Sequence, residues 1–199
     1  ERRIKKSRLY IEKYIDKDSR FLTSLEPIAV EPKAPGIVQG MADAARLADV
    51  GPMAAVAGAI AQTLGKSLLR DGCSDVLVEN GGDIFLKVSK EIRIGIYAGR
   101  SSFSGKLSLI IKPDETPLGI CTSSGTVGHS LSFGNADAVC VIAKDAFLAD
   151  AVATAVANRI KTPSDMQRAL LYGRSIRGVK GIVAIIGKSL ATCGSVCLD

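Results

Sequence analysis

The sequence has no tryptophan and a single histidine, His129, and aromatic residues fill only 5% of its 199 positions. A core this poor in rings has to be packed from small and aliphatic side chains at close backbone approach. No HExxH motif, Walker A loop, Rossmann fingerprint or Ser-His-Asp order is present. Zinc-finger spacing and a helix-turn-helix signature are missing too. No apolar run reaches the length of a membrane span, and no signal peptide is visible, so no membrane role and a cytoplasmic location are expected. The five cysteines are odd in number, scattered and mostly inside apolar runs. That argues for free thiols in a reducing compartment. Cys193 and Cys197 lack redox spacing, and alternation would set both on one side of a terminal strand. The chain opens on Glu1 without Met, which leaves its natural N-terminus open.

What is present is a chain 47% hydrophobic with a mean hydropathy of +0.23, which marks a compact globule rather than a disordered one. Its length fits a single domain spanning 1–199 with a sizeable core. The net charge of +6 favours anionic ligands or acidic partners. Much of it sits in a basic segment at about 1–20, through Arg2, Arg3, Lys5, Lys6 and Arg8. Without aromatic interleaving, a solvated helix face is the better reading than a nucleic-acid patch.

Periodicity predicts helices over 4–15, 35–48, 52–69, 145–160 and 162–172, with a short strand inside 21–30. Strands are expected at 75–79, 84–88, 92–97, 106–112 and 136–143, and a terminal hairpin joins 182–186 to 190–198. The polar turn at 89–91 implies antiparallel pairing of the strands beside it. Asp145 stands at an N-cap, and Thr162-Pro-Ser-Asp165 reads as a capping box. The fold class is α+β, a mainly antiparallel sheet with packed helices. Exposed sheet edges point to a homodimer or other homo-oligomer.

Three stretches could carry chemistry. The segment 119–134 gathers glycines, hydroxyl side chains and His129, and suits a ligand loop at a sheet end. Ordinary turn chemistry explains it equally well. Asp150, Thr154 and Asn158 lie four residues apart on an otherwise apolar helix, so they form one polar stripe. Asp and Thr oxygens suit Mg²⁺, unless the stripe is simply an exposed face. Asn80-Gly81-Gly82-Asp83 is by default a strand turn, but its glycines could admit a ligand against the backbone.

Together these stretches resemble the ApbE superfamily, flavin transferases that attach FMN from FAD to a protein Thr or Ser using Mg²⁺. Val78-Glu-Asn-Gly-Gly-Asp-Ile84 is similar to its Asn-x-Gly-Gly-acidic turn, and Cys121-Thr-Ser-Ser-Gly125 to its Thr-Ser-Gly loop. His129 follows where the family's catalytic histidine does, and Ala149-Asp-Ala-Val-Ala-Thr154 matches its metal-binding helix. A closer likeness, to a compact uncharacterised prokaryotic branch, adds Phe21-Leu-Thr-Ser-Leu-Glu-Pro27 and Gly51-Pro-Met-Ala-Ala-Val-Ala-Gly58. The resemblance implies an ApbE-like (T-fold-like) architecture that handles a flavin or another phosphorylated ligand, as a transferase or hydrolase. Asp150 and Thr154 would hold Mg²⁺. Asn80, Gly81, Gly82 and Asp83, with Thr122, Ser123, Ser124 and Gly125, would bind FAD or FMN. His129 would be the catalytic group, and a protein could be the acceptor. Where the transferases carry Asp-Pro after their histidine this chain has Ser130-Leu-Ser-Phe-Gly134, and their Gly-Gly-Ile-Ala-Lys-Gly segment appears as 57–63 without its Lys. The alternative is therefore a non-catalytic flavin-binding or accessory protein in anaerobic sulfur or redox metabolism.

Overall fold

Alternating and fully apolar strands build one antiparallel sheet, and the Ala-rich helices cover one of its faces. The computed structural model describes residues 1–126 and 132–199. The helices are α1 (Arg2–Lys17), α2 (Arg20–Thr23), α3 (Gly36–Ala48), α4 (Val56–Arg70), α5 (Ala146–Asn158) and α6 (Met166–Ser175). A 3₁₀ turn over Pro52–Ala55 runs straight into α4. The strands are β1 (Val76–Asn80), β2 (Asp83–Lys87), β3 (Ile92–Gly95), β4 (Ser108–Ile111), β5 (Leu118–Ser123), β6 (Ala138–Ala143), β7 (Val179–Ile186) and β8 (Ser189–Gly194). Six of them pair in the order β1-β2-β5-β6-β7-β8, every pair antiparallel.

Strand alternation sends Phe85, Cys121, Val139, Val141 and Ala184 under the helices. Ile84, Leu86, Leu118, Ile120 and Cys140 point the other way, against Leu109 and Ile111 of the separate β3–β4 pair. The molecule is thus helices, large sheet and small sheet in three layers, the α+β arrangement expected from the sequence. Helix α5 lies on β5 and β6 between α3 and α4. Its side chains are nearly all buried, so it is apolar on every side but one. Asp145 caps it, accepting a hydrogen bond from Leu148 N at 2.9 Å. Its first turn is clamped by two glycines. A Cβ at Gly119 would sit 2.3 Å from Ala146 Cα, and one at Gly58 would sit 2.2 Å from Ala146 O.

Several expectations are corrected. The stretch 21–30 holds no strand: α2 makes one helical turn and an extended connector follows. Phe21 is buried there and packs edge-on against Tyr14, with ring centroids 5.1 Å apart. The turn at 89–91 does not pair its flanking strands. Both edges of β2 are already taken by β1 and β5, so β3 crosses to the other face and pairs with β4. Cys193 and Cys197 do not share a strand face, because β8 ends at Gly194. Cys197 O instead accepts from Ile110 N at 3.0 Å, and Leu198 bridges to Leu109, tying the chain end to the small sheet. The first residues of 119–134 are not loop but the body of β5.

Candidate functional site

Gly81 and Gly82 turn β1 into β2 with φ of +66° and +98°, a left-handed pair that suits a two-residue hairpin. This tight turn makes Asp83 the first residue of β2, and alternation places it on the same face as Phe85, under the helices. Four-residue spacing sets Asp150, Thr154 and Asn158 along one side of α5, and all three meet Asp83 at one cavity. The cavity holds about 300 Å³, and Leu22, Leu25, Met53 and Phe133 give it an apolar wall. No lysine or arginine among the described residues lines it.

The two carboxylates are in an unfavourable setting. Asp150 is buried, and its Oδ2 accepts from Gly58 N at 2.9 Å, in the first turn of α4. An amide at a helix N-terminus favours the charged form. Burial outweighs it, and with the charge of Asp83 it pushes the Asp150 carboxyl well above the usual carboxylate range. Burial also lifts Asp83 to about 7, against the Cys121 thiol and the Thr122 amide, with the charge of Glu79 adding to the rise. Asp83 Oδ1 is buried and has no hydrogen-bond partner among the described residues. Two buried carboxyls without a basic partner must either hold protons or hold a cation. Carboxylate oxygens with the Thr154 hydroxyl make a hard donor set, which suits Mg²⁺ completed by waters and ligand oxygens. No group of three or more His, Cys, Asp or Glu among the described residues stands where a metal could be held by protein side chains alone.

The remaining expected site residues separate. Asn80 stands just behind the cavity, its Nδ2 donating to Ala57 O at 3.2 Å and fastening the β1–β2 turn to α4. Gly82 N donates to Glu79 Oε1 at 2.6 Å, within the turn itself. The Thr122 side chain falls on the far face of the sheet beside Cys140, because Cys121 takes the helix face. Ser123 returns to the helix face and is buried. Ser124 and Gly125 leave β5, and Gly125 N donates to Ala136 O at 2.9 Å, closing the base of the loop. None of Thr122–Gly125 lines the cavity. Beyond them Thr126 Oγ1 donates to Asp137 Oδ1 at 3.0 Å. His129 lies outside the described residues. The loop's return is fixed to α5, where Phe133 N donates to Asn158 Oδ1 at 2.9 Å and brings the Phe133 ring to the cavity.

Leu22, Leu25 and Met53 line the cavity although no chemical motif marks them in the sequence. Their only sequence signal is that they fall in the stretches 21–27 and 51–58, which look like hallmarks of the compact branch. The structure brings both stretches to the cavity.

Comparison with known proteins identifies the family and the fold. The model of a family described as AbpE bacteria matches residues 1–174. A UPF0280 protein of Methanococcus aeolicus is 43% identical over 197 residues, covering 97% of this chain and 79% of that protein. Another, from Methanothermobacter thermautotrophicus, is 44% identical over 193 residues, covering 95% and 75%. Among solved structures, the ApbE protein of Thermotoga maritima superposes with a TM-score of 0.57 at 17% identity, over 72% of this chain and 50% of that one. The apo flavinyl transferase ApbE of Pseudomonas stutzeri gives 0.50 at 21% identity, over 74% and 49%. At those identities the likeness establishes the fold, and this chain spans about half the length of either protein. The chain belongs to the AbpE bacteria family, alongside the UPF0280 proteins, and carries the ApbE fold.

Proposed function

We propose that this protein binds a flavin nucleotide, or another phosphorylated ligand, at a Mg²⁺ site formed by Asp83, Asp150 and Thr154. One observation carries the reading: two buried carboxyls with no basic partner among the described residues face a single cavity beside a hydroxyl. Mg²⁺ bound there would offset both charges and polarise a phosphate. The chain's own part is to position the ligand. Leu22, Leu25, Met53 and Phe133 form the apolar wall for a ring system, and Asn158 holds the loop that brings Phe133 in. The Asn80–Asp83 turn would supply backbone to the ligand's polar end, while Thr122–Gly125 stand outside the cavity wall, and His129 would be the proton-transferring group. With a protein hydroxyl as acceptor, such a site would serve FMN transfer. With water as acceptor, it would serve FAD hydrolysis.

Flavin fluorescence tests this directly, since the chain has no tryptophan to interfere. Titrating FAD with and without Mg²⁺ is expected to show metal-dependent binding that Asp150→Ala abolishes. FAD that fails to bind, or binds equally well after Asp150→Ala, overturns the reading.

A second reading, a flavin-binding protein without turnover, is favoured by Gln62. This residue stands where the transferase segment carries Lys, and here it is buried with Oε1 accepting from Ala146 N at 2.7 Å. It is committed to seating α5 and does not line the cavity. FAD bound with Mg²⁺ yet releasing neither FMN nor AMP would favour this reading. Release of either would exclude it.

A further inference from the structure

The basic N-terminal helix is not only a solvated face. Its buried residues Ser7, Ile11 and Tyr14 seat α1 against the molecule. Arg3 and Lys6 of α1, Arg70 of α4 and the first residues of α3 then enclose a second cavity of about 330 Å³. It shares no lining residue with the cavity at Asp150.

Three features of this cavity converge on an anion. Arg3 pairs with Asp71, but Lys6 and Arg70 have no ion pair among the described residues. Helix α3 opens at Gly36 without a side-chain cap, and Gly36 and Ile37 line the cavity, so the positive end of its dipole lies beside the space. No atom stands within 4 Å of where a Gly36 Cβ would be, so the approach is open. The third feature is Ser7. A serine inside a helix ordinarily donates to the carbonyl four residues back. Ser7 is 6% exposed, lines the cavity, and its hydroxyl has no hydrogen-bond partner among the described residues. With no bond to the described residues and Ser7 lining the cavity, this hydroxyl is available to an acceptor placed beside Lys6, Arg70 and the start of α3. The Tyr10 ring, with Lys6 Nζ 5.7 Å from its centroid, forms an aromatic side to the same space.

We propose that the cleft between α1, α3 and α4 binds the phosphate group of a small phosphomonoester. Lys6 and Arg70 supply charge, Ser7 and the α3 amides donate hydrogen bonds, and Tyr10 offers a face to whatever the phosphate is attached to. The site is independent of the one at Asp150 and needs no metal.

Calorimetric titration with AMP and with inorganic phosphate, in buffer containing EDTA, tests it. Saturable binding is expected, with shifts of the Gly36 and Ile37 amide resonances. AMP binding more tightly than phosphate would identify a nucleotide-like ligand, and equal affinities would identify phosphate as such. Arg70→Ala and Ser7→Ala should each weaken binding about tenfold, the size of one lost hydrogen bond to a charged group. Lys13→Ala removes the same charge from α1 outside this cavity and should change nothing. Absence of saturation, equal weakening by Lys13→Ala and Arg70→Ala, or resonance shifts confined elsewhere would each overturn the proposal.

Discussion

Asp83 shows how far one side chain can be moved by its place in a turn. On a solvated strand end it would be an ordinary carboxylate, with the usual value of 3.8. As the first residue of β2, under α4 and α5, it is buried and lifted to about 7. The sign of the consequence follows from linkage. The folded, metal-free chain holds the Asp83 proton more tightly than the unfolded chain does. Its contribution to stability is complete below about pH 4 and is lost as pH rises through about 7. Thermal melting of the metal-free protein should therefore fall from pH 5 to pH 8, and Asp83→Asn should shrink that fall. At the proposed site Mg²⁺ would compete with the same proton, so its stabilising effect should grow over the same interval. A pH profile identical in Asp83→Asn and the parent chain would contradict this.

At the scale of elements, α5 is the part on which the cavity depends. Its alanines let it lie close to β5 and β6, and its one polar stripe is left to face the cavity. The closeness rests on glycine in its neighbours rather than in itself. At Gly58 a methyl group would meet the Ala146 carbonyl, a backbone atom that cannot turn aside as a side chain could. Gly58→Ala is expected to cost about 1–3 kcal/mol in denaturant unfolding, the range for overpacking. Because Gly58 N also donates to Asp150, the same substitution should weaken Mg²⁺ binding. A variant with parental stability and parental metal affinity would show that α4 and α5 are less tightly seated than described.

For the molecule as a whole, the two faces of the sheet divide the work. The helix face carries both cavities, while the far face is an apolar layer under β3, β4 and the chain end. Leu109 is fully buried in that layer. Leu109→Ala should destabilise by about 2–5 kcal/mol through the cavity it leaves. Mg²⁺ affinity measured well below the melting temperature should stay at the parental value. Loss of both together would mean that the layers are coupled more strongly than their packing indicates.

The helices, most strands and the polar stripe of α5 are legible in the residue pattern alone. These depend on local periodicity and capping: the four-residue spacing of Asp150, Thr154 and Asn158 on an apolar helix, Asp145 at its N-cap, the glycine pair before Asp83. The resemblance to the ApbE superfamily rested on the same local motifs. Which of these residues meet depends on how the elements pack. Strand alternation turned Thr122 away from the cavity while bringing Asp83 to it, and no spacing within 119–134 shows that. The saturated edges of β2 sent β3 to the opposite face, against the short-turn expectation. Leu22 and Met53 join Asp150 across long sequence separations, and Ser7 meets Gly36 and Arg70, because helices packed on a sheet bring together surfaces that the chain keeps apart. Local pattern sets what each segment becomes, and burial of its apolar face sets what stands next to it.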